Sequence, residues 1–161
     1  MSLELKNIKY SAFASQETHC YQAYLYFKGK KVASVGNDGH GGCDHQHFTS
    51  KEAEKAVHEW LWGMGGYWPH NCDKYGEATA LEFWCCYRVN DFLQQKDLKK
   101  LLSKRVVYTI KGEEGIWQTQ AAPRAAVRDK WIEEVLERPD TDQVLNKLSL
   151  GEAIALYKGA S

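Results

Sequence analysis

The sequence predicts an α+β fold built on an antiparallel sheet. Three observations carry that reading. Strand-like and helix-like segments fall in blocks, in the order β-β-β-α-α-β-β-α-α, rather than alternating as a parallel α/β sheet requires. The only tight connections, Lys28-Gly29-Lys30 and Gly112–Gly115, each join two strand-like runs and so mark hairpins. With 161 residues, 43% of them hydrophobic and 26% charged, the chain is long and apolar enough for one domain to bury a core without disulfides or metals.

Each element has its own signal. Residues 4–13 mix apolar and polar types near period two, which predicts a strand burying Ile8, Tyr10 and Phe13. Aromatics dominate residues 20–27, a strong strand signature, and Lys31–Val35 returns from the turn as its hairpin partner. Ser50 is a good N-cap with Glu52 and Glu54 behind it, and Ala53, Ala56, Val57, Trp60 and Leu61 recur at helical spacing up to the glycines at 63–66. Trp62 falls off that face. Residues 77–95 form a helix with Leu81, Trp84, Cys85, Val89 and Phe92 on its apolar side, and Lys96–Lys104 continues as a short helix or turn with a solvated charged face. Arg105–Lys111 and Ile116–Gln120 form the second hairpin. Pro123 suits the first turn of a helix running to Glu137, which Pro139 ends, and Thr141 caps a last helical stretch. A weak seam is expected near residue 104.

Composition narrows the functional classes. Lys+Arg and Asp+Glu both count 21, so the net charge is zero, which argues against a protein built around phosphate backbones while leaving room for a local basic patch. The N-terminus lacks a cationic start followed by an apolar run, and no stretch approaches the length of a membrane helix. The cysteines, Cys20, Cys43, Cys72, Cys85 and Cys86, are odd in number and contain no CxxC pair. These features predict a reduced cytoplasmic protein without a membrane partner.

The segment most suited to chemistry is Asn37–His47, Asn-Asp-Gly-His-Gly-Gly-Cys-Asp-His-Gln-His. Glycines let the backbone approach a ligand closely, and histidines, cysteine and aspartates bind metals, carry protons or line polar pockets. A second loop, residues 65–76, repeats the theme with Tyr67, Trp68, His70 and Cys72. A metal site would draw on His40, Cys43, Asp44, His45, His47 and His70 and would hold Zn²⁺ or another divalent ion, although the spacing matches no strong zinc signature. A pocket for a small nucleotide-like or phosphorylated ligand would use Asn37, Asp38, Gly39, His40, Gly41, Gly42, His45 and His47, with Tyr67 and Trp68 stacking on a base. The pattern is neither GxGxxG opening a helix nor a P-loop. The plain structural alternative is a tight turn at Asn37-Asp38-Gly39 followed by an irregular loop. A Cys43–His pair is a further chemical option, and Cys85-Cys86 reads as core packing.

Glu17-Thr18-His19-Cys20-Tyr21, together with the segment from Asn37 to Asp44 and the C-terminal Val144-Leu145-Asn146 and Glu152–Tyr157, resembles small uncharacterised proteins encoded by bacteriophages and prophages. The resemblance attaches no activity to any residue. It implies a phage accessory protein in a bacterial cytoplasm, of the kind that counters host defences. The expectation is a non-enzymatic protein that binds a small nucleotide-like ligand. The alternatives are a metal-dependent phosphodiester hydrolase, with Asp38 or Asp44 positioning a water, or a protein–protein inhibitor of a host defence protein.

Overall fold

The computed structural model describes residues 2–63 and 77–159. The fold is α+β with antiparallel sheets. The second loop, with Tyr67, Trp68, His70 and Cys72, lies outside the described residues. The chain divides into two compact units, residues 1–92 and 93–161.

Unit 1 holds a four-stranded sheet in the order β1-β2-β3-β4, with β1 at Leu3–Tyr10, β2 at Tyr21–Phe27, β3 at Lys30–Asn37 and β4 at His45–Phe48. All neighbours are antiparallel. Strand β2 alternates cleanly: Tyr21, Ala23, Leu25 and Phe27 are buried, while Gln22 and Tyr24 face solvent. The β2–β3 hairpin closes through Lys28 (φ 51°) and Gly29 (φ 78°). Positive φ at both positions is the primed-turn geometry that matches strand twist. In β1 the register slips between Lys6 and Lys9, and Asn7 takes φ 56° there. Asn tolerates that left-handed conformation better than most residues, and the bulge it makes is invisible to a period-two reading.

Phe13 corrects the sequence expectation: it is 99% exposed. The chain leaves the sheet at Ser11, whose N–H donates to the Cys20 carbonyl, so alternation no longer governs residue 13. Helix α1, Lys51–Gly63, starts as expected, with the Ser50 hydroxyl accepting the Ala53 N–H at 3.2 Å. Val57, His58 and Leu61 are buried, and Trp60 meets Phe27 edge-on. Trp62 is 55% exposed.

Helix α2, Glu77–Lys104, is one continuous element rather than a helix and a separate short segment. Leu81, Trp84, Cys85 and Val89 are buried as predicted, and Leu98 extends the buried series into the lysine-rich stretch. The division between the two units falls inside this helix.

Unit 2 contains a three-stranded sheet in the order β6-β5-β7, with β5 at Val107–Ile110, β6 at Trp117–Gln118 and β7 at Thr141–Val144. Helix α3 spans Ala125–Leu136 and α4 spans Leu150–Gly159. One apolar cluster gathers Val106, Tyr108, Ile132, Val135 and Val144; a second gathers Leu98, Val107, Leu145 and Ala153. Thr141 does not cap a helix. It is buried, donates from Oγ1 to the Val135 carbonyl at 2.7 Å, and opens β7. The cap of α4 is Ser149. Its hydroxyl accepts the Glu152 N–H, and the Glu152 carboxylate accepts the Ser149 N–H at 2.9 Å, a capping box written as Ser-Leu-Gly-Glu.

Asn146 ties the end of α2 to β5. Its Oδ1 accepts the Val107 N–H at 2.8 Å, and its Nδ2 donates to the carbonyls of Leu102 and Arg105. Val107 is fully buried, so its N–H has no water to turn to. Replacing Asn146 with Ala is expected to destabilise the protein by about 2–3 kcal/mol. A urea titration that places Asn146→Ala within 0.5 kcal/mol of the parent, roughly the level of a neutral surface change, would contradict this account.

Candidate functional site

The 37–44 loop is held by the side chain of Asn37, which is buried at the end of β3. Asn37 Oδ1 accepts the Thr18 hydroxyl at 2.6 Å and the Gly39 N–H at 2.9 Å. Its Nδ2 donates to the Gly42 carbonyl at 3.2 Å and to Asp44 Oδ1 at 3.1 Å. The amide therefore uses both lone pairs and both protons. In return, the Gly39 carbonyl accepts the N–H groups of Gln16 and Glu17 at 2.9 and 3.0 Å and faces that of Thr18 at 3.4 Å. The loops 11–20 and 37–44 are thus laced together.

Gly39 is required by that lacing. It sits at φ 89°, and a Cβ there would lie 2.0 Å from the Ala14 carbonyl oxygen. Gly42 also has positive φ, at 90°, but its Cβ would meet nothing within 4 Å.

Beside the laced loops lies a cavity of about 630 Å³. Loop 11–20 contributes Ser15, Gln16, Glu17, Thr18 and His19; the sheet contributes Tyr10, Tyr21 and Asn37; Asp44 follows; and α2 supplies Glu82, Phe83 and Cys86. Asp44 anchors the floor. Its Oδ2 accepts the Tyr21 hydroxyl in a short hydrogen bond, and its own N–H donates to Glu82 Oε1 at 3.1 Å. His19 Nε2 and Asn90 Oδ1 are 2.8 Å apart, and the His19 ring meets Tyr10 edge-on.

Burial raises the pKa of three groups at these walls, Asp44, Glu82 and Cys86. Burial raises the Asp44 carboxyl above its ordinary range, against the Tyr21 and Asn37 donors and His45, which pull it down. Burial, then the neighbouring Asp44 charge, raises Glu82 against the pull of the Asp44 N–H. The Cys86 thiol is raised by burial and by Asp44 despite the Asn90 amide pointing at its sulfur, so it is a thiol rather than a thiolate. Cys85 is more deeply buried and also raised, consistent with its place in the core.

The expected metal shell is not assembled. Among the described residues no three His, Cys, Asp or Glu side chains gather to hold an ion. Register explains why. His45 and His47 point outward from β4 and are exposed, while Asp44 turns inward to Tyr21 and Asn37. His40 leans on Gln16, with Nδ1 3.2 Å from Oε1, and Cys43 is exposed. His70 lies outside the described residues.

The expected phosphate cradle is largely spent on the loop itself. The N–H groups of Gly39, His40 and Gly41 go to Asn37, Asp38 and Thr18. Of the expected ligand wall, Asn37 borders the cavity; Asp38, Gly39, His40, Gly41, Gly42, His45 and His47 do not line it. Tyr67 and Trp68 lie outside the described residues. Sequence reasoning missed Tyr10, Tyr21, Glu82 and Phe83 as walls. Glu82 carried a usable signal: a carboxylate directly beside the apolar Leu81, Trp84 and Cys85 stripe.

The chain matches no known family model, curated protein or solved structure. No described helix is long and apolar enough to cross a membrane.

Gly39→Ala is expected to cost at least about 3 kcal/mol, because a strained φ and a backbone clash act together. Gly42→Ala should cost only about 1–2 kcal/mol, from the left-handed conformation alone. Thermal unfolding of the two variants tests the lacing: equal losses would mean that the 11–20 loop does not depend on Gly39.

Proposed function

We propose that unit 1 binds a small ring-bearing ligand through nitrogen donors, an organic amine or a nucleobase-type compound, rather than a phosphate. One observation carries this reading. Among the described residues the cavity walls contain three carboxyl groups, Glu17, Asp44 and Glu82, beside the aromatic Tyr10, Tyr21 and Phe83, and no Lys or Arg. An anionic ligand would be desolvated there without a cationic partner, which is costly. A protonated amine or a base N–H meets acceptors, and a flat ring meets aromatic walls. The nucleotide-like part of the sequence expectation is kept on the base side, and the phosphate part is dropped. We also propose, on the resemblance of residues 17–21 and 37–44 alone, that such binding serves a phage accessory protein acting against a host defence.

The test is calorimetric titration of the full chain with a nucleobase, its nucleoside and its 5′-monophosphate, and with an aromatic amine. Nucleoside and amine are expected to bind, and the monophosphate to bind at least about tenfold more weakly, the effect of roughly one uncompensated charge. Glu82→Gln should weaken the amine by a similar factor. The pH dependence has a definite sign. Glu82 must be ionised to hold a cation, and its pKa is raised in the folded chain. Amine affinity therefore declines on acidification, and the decline begins above the ordinary carboxylate range. Tighter binding of the monophosphate than of the nucleoside would overturn the proposal.

A further inference from the structure

The solvent face of the unit 1 sheet forms a second feature, independent of the cavity. Cross-strand register places Lys6, Tyr24, Ser34 and His47 in one row across all four strands. These residues lie opposite in phase to Leu25, Ala33 and Val35, which face the core. The face is exposed where it carries rings: Tyr24 is 40% exposed, and His47 and, in the neighbouring row, His45 are exposed. The two imidazoles are parallel within 3°, with centroids 6.5 Å apart. That separation exceeds face-to-face contact, about 3.5 Å, so the two imidazoles do not close on each other. Between Tyr24 and the imidazoles, β3 presents only Ser34 and Gly36, so little bulk separates the rings.

Cations accompany the rings. The Lys31 ammonium lies 3.4 Å from the Tyr24 ring centroid, and the Lys6 ammonium 4.8 Å from that of Tyr26. Lys9, opposite Gln22, continues the series. Glu4, paired with Lys6 at 2.9 Å, offsets part of this charge. The face is locally basic in a chain whose net charge is zero.

We propose that this sheet face binds single-stranded nucleic acid. Exposed flat rings on a sheet, with ammonium groups set over and beside them, supply what a single strand presents: unpaired base faces to stack and phosphates to neutralise. A duplex hides its base faces, so the rings select single strands. An acidic peptide or a bare polyanion would use the lysines and leave the rings idle.

The test is fluorescence anisotropy of a labelled oligothymidylate of about twelve nucleotides, within the usual site sizes, titrated with the full chain at low salt. Saturable binding is expected, with log affinity falling against log salt at a slope near −2, since Lys6, Lys9 and Lys31 can meet about three phosphates. Tyr24→Thr, which keeps a strand-forming residue, should weaken binding about tenfold or more, and Tyr24→Phe should restore it. Lys31→Glu should weaken it comparably. Lys130→Glu on α3, an equal change of net charge elsewhere, should stay within about twofold. Two results would overturn the proposal. One is no saturable binding at low salt. The other is binding that duplex or inorganic polyphosphate competes equally well and that Tyr24→Thr and Tyr26→Thr leave unchanged, because charge alone would then explain it.

Discussion

Unit 1 depends on one buried amide. Asn37 ends β3, and its four hydrogen bonds reach Thr18, Gly39, Gly42 and Asp44. No other neutral side chain of that size offers two donors and two acceptors from one planar group. The arrangement fixes loop 37–44 against loop 11–20 and turns Asp44 toward Tyr21. It thereby decides which groups of the Gly/His segment meet the cavity and which are spent internally. A glycine-rich loop is usually read as free backbone waiting for a ligand. Here Gly39 and Gly41 serve close approach between two stretches of the same chain, and Gly39 is the clearer case.

That internal use changes the chemistry the site can offer. With the loop N–H groups engaged, the cavity is left with carboxyl groups, phenols, a thiol and an imidazole. Burial is the dominant cause of the raised pKa values of Asp44, Glu82 and Cys86, and the Asp44 charge adds to it at Glu82 and Cys86. Such a set offers hydrogen-bond acceptors and a thiol held above its ordinary pKa rather than a strong nucleophile. Recognition of a donor-rich ligand follows more directly from such a set than thiolate chemistry or phosphate capture does.

The sequence was most legible where one physical rule acted alone. The aromatic alternation of residues 21–27, the Ser50 cap and the Leu81, Trp84, Cys85, Val89 stripe were all recoverable from period and capping. It was least legible where a single tertiary bond overrode a local pattern. Thr141 looked like a cap, but its hydroxyl goes to the Val135 carbonyl and the segment becomes a strand. Phe13 looked like the next inward residue of a strand that had in fact ended at Tyr10. The site shows the same division. The loop dense in His, Cys and Gly borders the cavity through Asn37 and Asp44. The partners on α2, Glu82, Phe83 and Cys86, come from far along the chain, and no local spacing announces a contact at that separation.

The period of two in a strand separates the two candidate surfaces of unit 1. Tyr21, Asn37 and the inward-turned Asp44 belong to the core side, where the cavity lies. Tyr24, Ser34, His45 and His47 belong to the other side by register alone. A single-residue slip of β4 against β3 would send His45 and His47 inward and Gln46 and Phe48 outward. Phe48 instead packs against His58 of α1, which pins the register from the core side. The outward display of the histidines, away from Asp44, therefore goes with the packing of half-buried Phe48 against His58. A residue that reads as chemistry in the sequence is placed by a neighbour that reads only as core.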